Sequence, residues 1–172
     1  MRTLVFATLM CVAAISAKAH VITSETINDV YENVSSKQNS DYFYNAEKTG
    51  NDITTVFVYK NNSFNGLETL SHHLKYEYTY AADGTLTSKV TYRWADSQSN
   101  WICADRYEYT IANGKYYAEY SRYNLATNSF DQPTEKMVYT LTSADSINNV
   151  SSYHRNSPFS TYKLDSETTI SK

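Results

Sequence analysis

The sequence predicts an all-β fold, an antiparallel β-meander built from repeated hairpins. The meander would form a single twisted sheet or an open sandwich or barrel-like arrangement, with a short N-terminal helix as a further element. Three observations predict this. A tyrosine-x-tyrosine phrase recurs at residues 75–80 (KYEYTY), 106–111 (RYEYTI) and, more loosely, 136–141 (KMVYTL). The recurrence is at intervals of about 30 residues, the mark of one structural unit reused. Within each phrase large and polar side chains alternate with the period of two that a half-buried strand requires. Turn-forming stretches then separate the phrases from their return strands, at Asp83-Gly84 and Asn113-Gly114.

Residues 1–19 read as an export leader. Arg2 supplies the positive end, Leu4 to Ile15 form a short apolar run, and Ala17-Lys18-Ala19 is a small-x-small cleavage pattern. Cleavage would fall between Ala19 and His20. The apolar run is too short for a permanent membrane anchor, so no membrane span is expected after cleavage. Cys11 lacks the small preceding residue of a lipoprotein signal, which points to a freely exported chain, periplasmic or extracellular.

Residues 20–40 form an N-terminal segment. Ser24 caps a short helix over residues 25–34, with Ile27, Val30, Tyr31 and Val34 on one face, or the same stretch makes an additional strand. Residues 41–172 form the repeat-hairpin β domain. Its first hairpin runs from Tyr42-Phe43-Tyr44 to Val56-Phe57-Val58-Tyr59, turning near residues 49–52. In the second, Tyr76, Tyr78 and Tyr80 face one way, and Leu86, Ser88, Val90, Tyr92 and Trp94 alternate along the return strand. A three-residue loop, Ala82 to Gly84, would pair Tyr80 with Leu86, Glu77 with Lys89 and Tyr76 with Val90, keeping one aromatic face. A two-residue loop would set Tyr78 opposite Lys89. The third hairpin turns on Asn113-Gly114, pairing Ile111 with Tyr116, Tyr107 with Tyr120 and Asp105 with Arg122, and leaving Glu108 facing Glu119. The last turns around residues 143–146. A second phrase, an asparagine shortly before an aromatic residue, recurs at Asn62-Ser63-Phe64, Asn100-Trp101, Asn128-Ser129-Phe130 and Asn156-Ser157-Pro158-Phe159, each expected to lead into the next strand. Eight or nine strands result.

Composition narrows the function classes. The 172-residue chain carries a net charge of −3 and becomes more acidic once Arg2 and Lys18 leave with the leader. No basic run exists, which argues against a nucleic-acid partner. Cys103 is the one cysteine left after cleavage, so no intramolecular disulfide can form. Seventeen tyrosines take the place of scarce aliphatic side chains, burying large rings while keeping a hydroxyl near water.

Catalytic patterns are absent. No phosphate-binding glycine loop, zinc motif or nucleophile elbow occurs, and no cofactor is expected. His72 and His73 would point to opposite faces of a strand, which rules out a shared metal site. Cys103 has no local activating group; with a distant His154 it would make a thiol nucleophile, yet a small packed side chain beside Trp101 is the commoner role. The scattered acids Glu77, Glu108, Glu119 and Asp105 fit cross-strand partners of Lys75, Lys89, Arg106 and Arg122 better than a hydrolytic carboxylate pair. The candidate binding surface is aromatic: Trp94, Trp101, Tyr116, Tyr117, Tyr120 and Tyr123. Planar rings on a sheet face stack on sugars or apolar peptide surfaces; the competing role is filling the core.

The phrases KYEYTYAADG, YRW followed by SNW, and RYEYTIANGK resemble the small tyrosine-rich exported proteins of Bacteroidetes grouped as domain-of-unknown-function family 3836. The similarity covers most of residues 40–165 and includes the leader. It implies an antiparallel β-meander in the periplasm or outside the cell, and transfers no functional residue. The third unit departs from the pattern, with Met137-Val138 in place of Tyr-Glu and no glycine at its turn. In such a host, Asp145-Ser146-Ile147 also resembles an O-glycosylation acceptor, with Ser146 as the modified residue. The leading expectation is therefore an exported, non-enzymatic β-sheet protein binding a glycan or protein through its aromatic faces. The alternatives are a structural or assembly component of the cell envelope, and a hydrolase using Cys103 or paired carboxylates.

Overall fold

The computed structural model describes residues 21–36, 41–64, 67–142 and 147–170. The leader, its Ala19–His20 junction and Ser146 lie outside the described residues. One helix, α1 (Ser24–Ser36), precedes ten strands: β1 (Tyr42–Thr49), β2 (Asp52–Phe64), β3 (Leu67–Tyr80), β4 (Leu86–Ala95), β5 (Asn100–Ala112), β6 (Lys115–Asn124), β7 (Ser129–Phe130), β8 (Glu135–Leu141), β9 (Ile147–His154) and β10 (Lys163–Thr169). They form one antiparallel sheet in the order β1-β2-β3-β4-β5-β6-β8-β9-β10, with the two-residue β7 pairing off β6. Neighbours in sequence are neighbours in space, as the hairpin repeats require. Among the described residues β1 and β10 stay as open edges, so the sheet does not close into a barrel.

The segment before the first strand is helical. Its cap is Thr23, one residue earlier than Ser24: the Thr23 hydroxyl accepts from the Thr26 N–H (3.4 Å), and the Thr26 hydroxyl accepts from the Thr23 N–H (3.3 Å). This reciprocal pairing satisfies donors that a helix start otherwise leaves orphaned. Ile27 is buried and Tyr31 packs beside it against Ile53, Val56, Val58 and Leu86. The Asn28 amide donates to the Asn51 carbonyl (2.9 Å) and accepts from the Ile53 N–H (3.3 Å), fixing the helix to the β1–β2 turn. Thr23→Ala should lower stability by about 1 kcal/mol, the usual value of a lost cap, with the urea midpoint reduced and its slope unchanged.

Register departs from strict alternation at six hairpins. Between β3 and β4, Tyr80 pairs with Leu86 across the expected three-residue loop, with Gly84 in the left-handed region at φ 82°. Thr87 is then an unpaired extra residue. It sets Tyr78 opposite Lys89, Glu77 opposite Val90 and Tyr76 opposite Thr91, correcting the expected Glu77–Lys89 and Tyr76–Val90 pairs. Similar irregularities fall between Glu47 and Lys48, Val58 and Tyr59, Thr91 and Tyr92, Thr140 and Leu141, and Leu164 and Ser166. A bulge strengthens the local twist and reassigns the side chains beyond it to the other face. The β5–β6 hairpin is regular. Asn113 (φ 52°) and Gly114 (φ 68°) make its turn, and Ile111–Tyr116, Tyr107–Tyr120, Asp105–Arg122 and Glu108–Glu119 all pair as expected.

The asparagine-aromatic phrase has more than one role. Asn100 opens β5, and Asn128 (φ 51°) leads into β7. Asn62-Ser63-Phe64 instead ends β2, and residues 156–159 lie in the loop before β10, where Phe159 is fully exposed. The length of β2 lets its ladder continue to Phe64, paired with Leu67.

The core lies on the face that carries α1. Beyond the helix its filling is tyrosine: Tyr109 stacks on Tyr116 (centroids 5.6 Å apart, 12° between planes), Tyr116 meets Tyr139 at 5.8 Å, and Tyr107 meets Tyr120 at 5.1 Å. Rings lying side by side across β5, β6 and β8 cover the sheet where no second layer is needed to do so.

Candidate functional site

The helix-free face gathers rings from four strands. Trp94 of β4 and Trp101 of β5 are directly paired and meet edge to face, with centroids 5.1 Å apart. His72 of β3 lies 4.4 Å from Trp94 and 5.3 Å from Trp101; Tyr59 of β2 lies 5.1 Å from His72, and Phe57 lies 6.1 Å from Trp101. His72 is exposed and the other four rings are partly so. The bulge at His73 aims that ring the other way, onto Tyr42 (5.4 Å). The adjacent histidines thus point to opposite faces, as alternation predicts, and no metal-ligand group of three or more occurs among the described residues.

A polar network borders the rings. The Lys75 ammonium pairs with Glu77 at 2.7 Å and sits 4.1 Å from the centre of the Tyr92 ring, while the Tyr92 hydroxyl donates to the other Glu77 oxygen at 2.8 Å. Burial pushes the Tyr92 phenol up, and its bond to Glu77 pushes it further. The phenol therefore stays a donor. Lys75–Glu77 and the Arg106–Glu108 pair at 2.8 Å both lie along one strand, where cross-strand pairing was expected. Strand neighbours two apart share a face, so long side chains reach each other without a favourable register.

The six aromatic residues singled out in the sequence do not form one surface. Trp94 and Trp101 come together. Tyr123 lies on the same face further along, against Phe130 at 5.1 Å, with its hydroxyl bonded to Asn128 (2.6 Å); Tyr117 is also on that face, partly buried. Tyr116 is 1% exposed, and its hydroxyl donates to the Leu86 carbonyl at 3.3 Å. Tyr120 is on the helix-bearing face with Tyr107. These two belong to the core, because the regular β5–β6 hairpin keeps them in step with Tyr107 and Tyr109. Phe57, Tyr59, His72 and Tyr92 were missed. The Tyr59–His72 pair was legible from the β2–β3 hairpin: Asn65-Gly66 is a two-residue turn signal in the sequence, and counting back from Phe64–Leu67 sets Tyr59 opposite His72.

Cys103 pairs with Tyr92 on the helix-free face, whereas His154 belongs to the opposite one. Burial raises the thiol above its ordinary value, and the nearby carboxylates of Asp105 and Glu77 add to this. Cys103 and His154 are not brought together. His154 instead bonds Asp165 through Nδ1. On the helix-bearing face a polar cleft of about 440 Å³ is lined by Tyr107, Tyr120, Arg122, Glu135, His154 and Arg155, among others. Two guanidinium bonds of Arg155 are already used, to the carbonyls of Pro133 (2.7 Å) and Pro158 (2.6 Å).

Residues 1–141 match the family described as a family of unknown function, DUF3836. The chain belongs to this family. The matched stretch ends with β8, so β9 and β10 lie beyond it. A crystal structure of a protein with unknown function from Bacteroides fragilis has the same fold, with a TM-score of 0.66 and 22% identity over 75% of this chain and 91% of that one. Crystal structures of DUF3836 family proteins from Bacteroides vulgatus (TM-score 0.47, 22% identity, 52% of this chain and 88% of that one) and Parabacteroides distasonis (TM-score 0.46, 23% identity, 52% and 81%) are also similar. No curated protein matches. Among the described residues no helix is long and apolar enough to cross a membrane.

Proposed function

We propose that this DUF3836 chain is an exported, non-enzymatic glycan-binding module whose binding surface is the ring cluster of Phe57, Tyr59, His72, Trp94 and Trp101. The observation that carries it is the convergence of five rings from four strands onto the uncovered face. Three of them surround His72 within 5.3 Å or less. Tryptophan and tyrosine rings offer flat faces to the C–H side of a sugar ring, while Lys75, Glu77 and Tyr92 at the border supply donors and acceptors for its hydroxyls. A protein partner would be served better by a continuous apolar patch with a polar rim; here charged and aromatic side chains interleave.

Assembly through edge strands finds less support. Both open edges carry the devices that discourage pairing: β1 has a bulge at Glu47/Lys48, and β10 has one at Leu164/Ser166 together with Lys163, Asp165 and Glu167. Export rests on the basic, apolar and small-residue order of residues 1–19. Fractionation of cells producing the tagged chain should recover it outside the cytoplasm with His20 as its first residue; a cytoplasmic protein beginning at Met1 would refute export.

A glycan array probed with the mature protein tests the binding reading. At least one oligosaccharide class should be retained, and Trp94→Ala or Trp101→Ala should weaken its binding by roughly tenfold or more, as loss of a central aromatic anchor does. Retention that survives both substitutions, or no retention at all, would remove the cluster as a glycan site.

A further inference from the structure

Each of the three repeat phrases opens on a cation, Lys75, Arg106 and Lys136, and each cation lies over an aromatic ring. The Lys75 ammonium is 4.1 Å from the centre of Tyr92, the Arg106 guanidinium 4.2 Å from that of Phe130, and the Lys136 ammonium 4.1 Å from that of Tyr162. All three alternate with residues of the core, Tyr76, Tyr107 and Met137, and so stand on the helix-free face. Register places them in a line. Glu77 pairs with Val90 and Val90 with Arg106, so Arg106 lies two strands from Lys75 and one same-face step along. Glu108 pairs with Glu119 and Glu119 with Lys136, which repeats the same displacement. At the usual strand spacing and rise, each displacement is about 10 Å across the sheet and about 7 Å along it, or about 12 Å in all. The unpaired Ala104 keeps Arg106 on this face, since strict alternation from Cys103 would turn it to the other. Phe57 of the ring cluster pairs directly with Lys75, so the line begins at the cluster.

Each position also carries a carboxylate. Lys75 pairs with Glu77 and Arg106 with Glu108. Val138 stands where the third acid would be, and Glu119, directly opposite Lys136, takes that role. The side chains of Lys75 and Arg106 are 16% and 29% exposed, those of Glu77 and Glu108 41% and 46%. A cation held on a ring beside an acid open to water makes a fixed donor next to a fixed acceptor, which two neighbouring sugar hydroxyls can use together.

We infer that the ligand of this face is a long, unbranched, neutral polysaccharide, laid diagonally from the ring cluster across the three cation–carboxylate pairs. This rests on the reading of the cluster as a glycan surface, and adds the length and charge of the glycan. An interval of about 12 Å repeated in one direction matches a polymer of identical units rather than a single sugar. Lys75 and Arg106 are already neutralised by Glu77 and Glu108. An acidic polysaccharide would have to displace a charge-assisted bond at each, which selects against it.

Native electrophoresis of the mature protein through gels containing xylan, galactomannan, mixed-linkage β-glucan or polygalacturonate tests this, followed by calorimetry with the disaccharide and octasaccharide of the retarding polymer. A neutral polymer should retard the protein and polygalacturonate should not. The octasaccharide should bind roughly 100-fold more tightly than the disaccharide, well beyond the roughly tenfold that sliding of one short site along a longer chain supplies. Lys136→Gln and Tyr162→Ala, at the far end of the line, should each narrow that ratio by about tenfold. A ratio within tenfold in the parent protein, or one that both far-end variants keep, overturns the extended site and leaves the ring cluster standing. Retardation by polygalacturonate overturns the neutral class. No retardation by any polymer, with array glycans still bound through Trp94 and Trp101, confines binding to the cluster and overturns this inference; loss of array binding as well removes the cluster reading with it.

Discussion

Tyr116→Ala should remove most of the stability of this protein. The ring is 1% exposed, lies between Tyr109 and Tyr139, and anchors its hydroxyl on Leu86 two strands away. Truncating a buried aromatic costs about 3–5 kcal/mol through lost burial and the cavity left behind. That is a large share of the 5–15 kcal/mol typical of a domain. In a sheet with one helical cover there is little second layer to collapse into the space. Tyr116→Phe isolates the hydroxyl, and the cost should be about 1 kcal/mol. Urea unfolding of the two variants separates these terms. Equal losses would mean that the hydrogen bond, not ring packing, holds the region together.

Alkaline pH should unfold the protein cooperatively. Burial pushes the phenols of Tyr76 and Tyr139 up to about 12. It also raises those of Tyr78, Tyr80, Tyr107, Tyr109 and Tyr116, with neighbouring tyrosines adding to the effect for most of them. A phenol is neutral when protonated. Below its unfolded value near 10, both states keep the proton and stability is unaffected by pH. Above it the unfolded chain releases the proton while the folded one holds it, so stability falls as pH rises toward the folded value. Each such tyrosine removes about 1.4 kcal/mol per pH unit across that window. Absorbance of tyrosinate and far-ultraviolet circular dichroism, followed together from pH 9 to 12.5, should show part of the ionisation coinciding with loss of structure. Full ionisation with the sheet intact would contradict a tyrosine core.

The repeated phrases made the meander legible because hairpin chemistry is local. Asn113-Gly114 sets its own turn and, through it, the pairing of eight residues on each side of the β5–β6 ladder. The bulges were not legible. Nothing about Thr87, His73 or Ala104 as residue types announces an unpaired position, and each one moves later side chains to the opposite face. The alternation of Leu86, Val90, Tyr92 and Trp94 suggested a single surface. In the structure Leu86 enters the core, while Tyr92 and Trp94 join Lys75 and Glu77 on the uncovered side. Tyr116 and Tyr120, read as binding candidates, lie on the core face because the β5–β6 ladder runs without a bulge and keeps them in step with Tyr107 and Tyr109; Phe57, Tyr59 and His72 escaped notice. Trp94 and Trp101 were found because the short connection through the 3-10 turn Asp96–Gln98 leaves them few ways not to meet.

The most direct measurement is intrinsic tryptophan fluorescence. The chain has two tryptophans, and both stand in the proposed glycan surface, so the emission reports on that surface alone. Titration of the mature protein with array-selected oligosaccharides should give a saturable change in intensity or wavelength, lost when Tyr59 and His72 are both replaced by alanine. Emission unchanged by every oligosaccharide, or a change that persists in the double variant, would contradict the assignment of this ring cluster as the binding site.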